Sequence, residues 1–175
     1  MNRIVKYFYK FHQKRIEKKE QKRIALFKSK LASCGLNLKI FGEPVIYSPE
    51  RLTIGSDCKI NDQVYINAQS GVIIGNDVTL SYGAKIISTG YDIERWVETG
   101  KKVHIENTPV KIGNHCWICT DATILPGVNI LGEFVIVAAG AVVTKDITED
   151  KVVVAGSPAK IIKRIEGNKD EYTVE

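Results

Sequence analysis

Three histidines, one Cys-x-x-Cys pair and a C-terminal cluster of cations are the residues of this 175-residue chain best suited to chemistry. Histidine changes charge near neutral pH and so serves as a general base. His12 lies in a strongly basic stretch and reads as a surface residue. His115 sits in a tight turn beside Trp117, which favours a structural role. His104 lies in an irregular segment where Asp92, Glu94 or Glu106 could orient its ring. Three histidines so scattered offer no converging metal site, and no metal is expected. Cys116-Trp117-Ile118-Cys119 has the spacing of a redox or zinc pair. It lacks both a second ligand pair and a thioredoxin-like βαβ setting, so both cysteines read as core. Lys145, Lys160, Lys163 and Arg164 could hold phosphate groups, or simply solvate a chain terminus.

What positions these residues is a period of six. Ile54, Ile60 and Ile66, then Ile74, Leu80 and Ile86, recur at that spacing, with a two-residue slip over Ala68–Val72. The pattern resumes at Ile112, Ile118 and Ile124. It continues at Leu131, Val137 and Val143 after one extra residue near Ile130. Small or β-branched residues follow four places after most of these positions, as at Cys58, Val64, Val78, Ala84, Cys116 and Ala122. Neither a 3.6-residue helix nor an alternating strand explains this. A chain coiling through three short strands per turn does, with like side chains stacked in files and Gly, Asn and Asp at the corners.

Residues 88–109 break the rhythm and carry charges, Trp96 and His104. A long loop thrown out of a repetitive scaffold is where specific chemistry can sit. After Val143 the period ends. Pro158–Ile165 reads as a short helix opened by proline, followed by a polar tail. The organisation expected is a helical segment over 1–33, a β-helix over 34–157 and a C-terminal helix and tail over 158–175.

The net charge of +5 conceals an asymmetry. Residues 1–30 carry eleven basic side chains against Glu17 and Glu20. They hold no proline, one near-helical set at Ile4, Phe8 and Phe11, and another at Ile16, Ile24, Phe27 and Leu31. Such a helix either packs its thin apolar stripe on the protein or a neighbouring subunit, or adheres to a membrane or an anionic substrate. No nucleic-acid motif accompanies the charge. No run of about 18 apolar residues exists to span a bilayer. Four cysteines without a secretory signal point to the cytoplasm, with the inner face of the membrane as a further location.

Val110–Ile118, Ile124–Val128, Ala139–Asp146 and Ala155–Lys160 together resemble motifs of the hexapeptide-repeat acyltransferases, above all the galactoside and maltose O-acetyltransferases and the acetyltransferases of surface polysaccharides. The resemblance covers roughly residues 50–165. It implies an all-β, left-handed parallel β-helix, a homotrimer, and acetyl-coenzyme A in a groove between neighbouring prisms. Position by position it assigns Trp117, Thr120, Ala139, Thr144, Lys145, Lys160 and Lys163 to the coenzyme. Asn67, Tyr91, Asp92 and Trp96 are expected toward the acceptor. Tyr91 departs from the pattern, because the galactoside branch has its catalytic histidine there after a Thr-Gly step. Tyrosine is a poor base near neutrality. His104, late in the loop, is therefore the expected base, with His115 or no histidine at all as alternatives. The implied reaction is acetyl transfer to a hydroxyl of a sugar or polysaccharide precursor. The alternatives are transfer to an amino-sugar nitrogen or a xenobiotic, or a non-catalytic trimeric scaffold.

Overall fold

The computed structural model describes residues 3–105 and 107–166. Glu106 and the tail beyond Glu166 lie outside them. A long helix, α1 (Arg3–Lys28), precedes a coil whose every turn adds one short strand to each of three parallel sheets. The first sheet stacks Ser33–Cys34, Leu52–Ile54, Val72–Ile74, Val110–Ile112 and Asn129–Ile130. The second stacks Lys39–Ile40, Lys59–Ile60, Thr79–Leu80, Trp117–Ile118, Ile136–Val137 and Val152–Gly156. The third stacks Val45–Tyr47, Tyr65–Asn67, Lys85–Ile87, Thr123–Ile124 and Val142–Val143.

The sixfold spacing is thus the distance from one sheet to the next. Register puts equivalent aliphatic residues directly over one another. One file runs Ile40, Ile60, Leu80, Ile118, Val137 and Val154. A second runs Ile46, Ile66, Ile86, Ile124 and Val143, and a third Ile54, Ile74, Ile112 and Ile130. Most are wholly buried, and each such side chain stabilises the stack by roughly 1.5–3 kcal/mol. Cys58, Val64, Val78, Ala84, Cys116 and Ala122 fill the corners between files.

The residue before each corner filler is left-handed. Asn37, Asp57, Asp77, His115 and Phe134 mark the first corner, between the first and second sheets. Gln63, Gly83, Asp121 and Gly140 mark the second, between the second and third sheets. The third corner is looser. It holds the two-residue slip at Ala68–Val72, and one coil later it extrudes the loop 88–109.

Two expectations need correction. Ile130, not Leu131, occupies the interior file: Ile130 is fully buried and Leu131 is 55% exposed. The extra residue follows Ile130 instead of preceding it, because the step from Ile112 is taken without insertion. The second correction concerns Pro158–Ile165, which is not a helix. Ala159–Arg164 is a strand pairing antiparallel with Val152–Gly156. The last strand of the second sheet leaves an edge of unpaired backbone groups, and a returning strand satisfies them. A helix of eight residues would be marginal and leave that edge bare.

Helix α1 closes the other end. Ile24, Phe27 and Leu31 pack against the core. The Arg23 guanidinium donates to the Gly42 carbonyl at 2.6 Å and pairs with Glu20 and Glu43. Among the described residues, no helix is long and apolar enough to cross a membrane.

Candidate active site

The loop is a small hairpin built around a short helix, α2 (Ile93–Thr99). Its two limbs are tied by Asp92 N–H to the Val103 carbonyl and Ile105 N–H to the Gly90 carbonyl, both at 2.9 Å. Between these bonds Tyr91 and His104 form a single antiparallel bridge. Their rings stack, with centroids 4.7 Å apart and planes inclined by 27°. His104 Nδ1 lies 3.5 Å from Thr89 Oγ1, at the edge of hydrogen bonding. Thr89 is almost fully buried, so it can fix the ring.

His104 opens into a polar hollow of about 380 Å³ lined also by Arg51, Gln69, Ser70, Thr89, Ile105 and Asn107. Asn67 stands at the same corner one coil below the loop, paired in register with Tyr47 and Ile87. Its side-chain carbonyl accepts from Gln69 N–H at 3.0 Å. Arg51 donates to the Gln69 carbonyl at 2.6 Å. Ser88, wholly buried, accepts from Ser70 N–H through its hydroxyl and from Thr108 through its carbonyl, which pins the loop to the corner.

The other loop residues have different tasks. Asp92 caps α2 by accepting from Arg95 N–H at 2.9 Å, so its carboxylate does not orient His104. Glu94 lies in the first turn of α2, and Glu106, the third suggested carboxylate, is outside the described residues. Trp96 carries Lys102 Nζ 4.5 Å above its ring, and the same ammonium lies 5.6 Å over Tyr91. Cation, indole and phenol together roof the outer side of the hairpin.

Sequence reasoning missed Arg51, Gln69, Ser70, Thr89 and Asn107. The first four were within reach of the repeat. Arg51, Gln69–Ser70 and Thr89 are about one coil apart, so the period alone stacks them at the third corner.

The residues assigned to the coenzyme fall into three places. Thr120 and Ala139 stack at the second corner, where Gly140 N–H donates to the Thr120 carbonyl at 2.9 Å. Both are exposed, and a Cβ built on Gly140 would meet nothing within 4 Å. The turn of the C-terminal hairpin lies one level further along this edge, and Lys160 pairs there with Ala155. Trp117 lies on the outer face of the second sheet, in a file continuing through Ile136 and Val153 to Lys163. Its indole N–H donates to Ser81 Oγ at 2.8 Å. Thr144 and Lys145 instead follow Val143 at the third corner, two coils beyond His104.

A register shift beside Val153 brings Lys160 and Lys163 to one face, although they are three apart in a strand. Arg164 is taken by Glu149 at 2.6 Å. A corner of small exposed residues ending in two cations with no ion-pair partner among the described residues suits a long ligand carrying phosphates.

His115 and the cysteines are structural. His115 is a left-handed corner residue, its Nδ1 3.0 Å from Asp77 Oδ2 and its ring stacked on Phe134 at 4.5 Å. Cys116 is 1% exposed, and burial pushes its thiol up to about 11. Burial also raises the Cys119 thiol. Neither is poised as a nucleophile.

The galactoside O-acetyltransferase of Escherichia coli K12 is 30% identical over 167 residues, which are 92% of this chain and 75% of that protein. The chain belongs to the hexapeptide-repeat acetyltransferases. An Escherichia coli K12 protein named for O-acetyl transfer in lipopolysaccharide biosynthesis is 32% identical over 74% of this chain and 66% of its own length. A solved galactoside acetyltransferase in complex with coenzyme A superposes with a TM-score of 0.78 at 28% identity, covering 89% of this chain and 76% of that one. No protein-family profile matches the sequence. As a member of this family the chain is an acetyltransferase, and its coil is the left-handed β-helix that the family resemblance implies.

Proposed function

We propose that this acetyltransferase moves an acetyl group from acetyl-coenzyme A to a hydroxyl of a sugar or surface-polysaccharide precursor, with His104 as general base. The observation that carries the reading is the position of His104. Its ring lies against Tyr91, where the galactoside branch has its catalytic histidine, and it faces a polar hollow beside Asn67. With Nδ1–H directed to Thr89, the Nε2 lone pair is left for the hydroxyl proton. The amide N–H2 of Asn67 has no partner among the described residues and can hold the acceptor. Tyr91 would hold the imidazole by its stack, Trp96 would offer a sugar the ring face that Lys102 leaves open, and Asp92 holds α2.

The coenzyme supplies the activated acetyl thioester. Lys160 and Lys163 would hold its phosphates, Thr120 and Ala139 would give the pantetheine arm close approach, and Trp117 would offer an apolar wall. Thr144 and Lys145 sit on the histidine's own corner. These groups occupy two corners with the third sheet between them, so a second prism supplying its second corner would complete the site. A homotrimer gives that arrangement three times over. The four free thiols fit a reducing cytoplasm.

The test is release of coenzyme A from acetyl-coenzyme A, read with a thiol reagent against sugars, amino sugars and nucleotide sugars, for the wild type and His104→Ala. Turnover with a hydroxyl acceptor that the variant abolishes supports the reading. Turnover only with amines shifts the acceptor class, and a variant as fast as wild type removes His104 as the base.

A further inference from the structure

The N-terminal half of α1 has two faces that the acetyltransferase site does not use. Val5, Phe8, Tyr9, His12 and Ile16 follow one another at the three- and four-residue steps of a single helical face. The four large hydrophobic residues among them are 50–66% exposed, and so is Phe11 at its border. Lys6, Lys10 and Lys14 rise on the opposite side at intervals of one turn, all exposed. The contacts that hold the helix to the β-helix come from further along, at Arg23, Ile24 and Phe27.

We infer that residues 5–16 dock onto an anionic lipid bilayer, lying in its interface. The face is apolar apart from His12 and rich in aromatic residues, which favour the headgroup boundary, while the lysines are placed to meet lipid phosphates. The helix lies on the membrane and does not span it, since it is too polar to cross. Charge decides against the other occupant, a matching helix from a second copy. Residues 1–30 carry eleven cations and two carboxylates, and one of these, Glu20, is already paired with Arg23. Two such helices side by side would repel along their length with only Glu17 to answer. An anionic surface answers every lysine. The inference is independent of the acetyl acceptor.

The experiment is flotation of the full chain with vesicles of pure phosphatidylcholine and with vesicles of equal parts phosphatidylcholine and phosphatidylglycerol. Binding to the anionic vesicles alone, weakened by salt, is the expected result. Replacing Lys6, Lys10 and Lys14 by Gln should lower partitioning about fivefold each, on the order of 100-fold together. Phe8→Ser with Tyr9→Ser should lower it at unchanged charge. Circular dichroism and coenzyme A binding check that each variant is folded. Absence of binding to anionic vesicles at low salt overturns the inference, as does binding that neither set of variants reduces. An oligomer that dissociates in the serine variant assigns the face to a second copy and also overturns it.

Discussion

His104 and Tyr91 are stacked at 4.7 Å across the one bridge that joins the limbs of the extruded loop. On the proposed reading, the base stands on the strand facing position 91, and its ring occupies the neighbouring space. This relationship yields a compensation test. His104→Ala should reduce turnover about 100- to 10,000-fold with folding intact. Adding Tyr91→His to that variant should restore part of the rate, because the imidazole returns from the other side of the bridge. A double mutant no faster than His104→Ala would mean that position 91 no longer faces the acceptor.

In the proposed mechanism Tyr91 acts as a positioning residue. The stack needs an aromatic ring and not a hydroxyl, so Tyr91→Phe should keep most of the activity. Tyr91→Ala should lower kcat about tenfold, the scale of a lost stacking contact, with little change in KM. Steady-state kinetics of the two variants checks this, and equal losses in both would assign the hydroxyl a direct role.

The bulge carries Lys160 and Lys163 onto one face, where the proposed function has them hold the coenzyme's phosphates. Lys160→Ala and Lys163→Ala should each raise KM for acetyl-coenzyme A about tenfold, the scale of one charge-assisted contact. The kcat should stay near wild type, and the penalty should shrink at high salt. An unchanged KM in both variants would leave the cations as solvation of the hairpin.

The scaffold was legible in the sequence because it repeats. Ile60, Leu80 and Ile118 announce one file by recurrence, and the corners by their Asn, Asp and Gly. Where the repeat stopped, local reasoning had to choose without tertiary context. Pro158–Ile165 has residues that fit either a helix or a strand, and the open edge of Val152–Gly156 decided it. The loop could be recognised as the break in the rhythm and His104 as a candidate base within it, but not the Tyr91 stack. That contact depends on a hairpin that brings together two residues thirteen positions apart around α2. Arg51 and Thr89 were hidden for the opposite reason: they are ordinary residues that only stacking of successive coils brings to His104.

Burial of Cys116 has a pH signature. The unfolded thiol ionises near 9, whereas the folded one holds its proton to about 11. Between these values the folded state binds more protons, so stability is unaffected below pH 9 and falls as pH rises from 9 to 11. The slope is about 1.4 kcal/mol per pH unit for one such group. Denaturant melts of Cys116→Ala should show a shallower alkaline decline than wild type. Identical slopes would mean that Cys116 ionises as readily folded as unfolded.

The phase of the coil around the extra residue can be read from two adjacent side chains. Ile130 sits over Ile112 with no exposed surface, and Leu131 beside it is more than half exposed. Both are large and aliphatic, so truncation removes similar chemistry from opposite sides of one backbone. Ile130→Ala should cost about 2–5 kcal/mol, because it opens a void between stacked coils that flanking strands cannot close. Leu131→Ala should stay within about 0.5 kcal/mol of wild type, as for an ordinary surface site. Each coil rests only on its neighbours, so the loss at Ile130 falls between the coil bearing the loop's exit and the coil bearing Ala139. Urea melts of the two variants decide the phase, and a larger loss at Leu131 would reverse it.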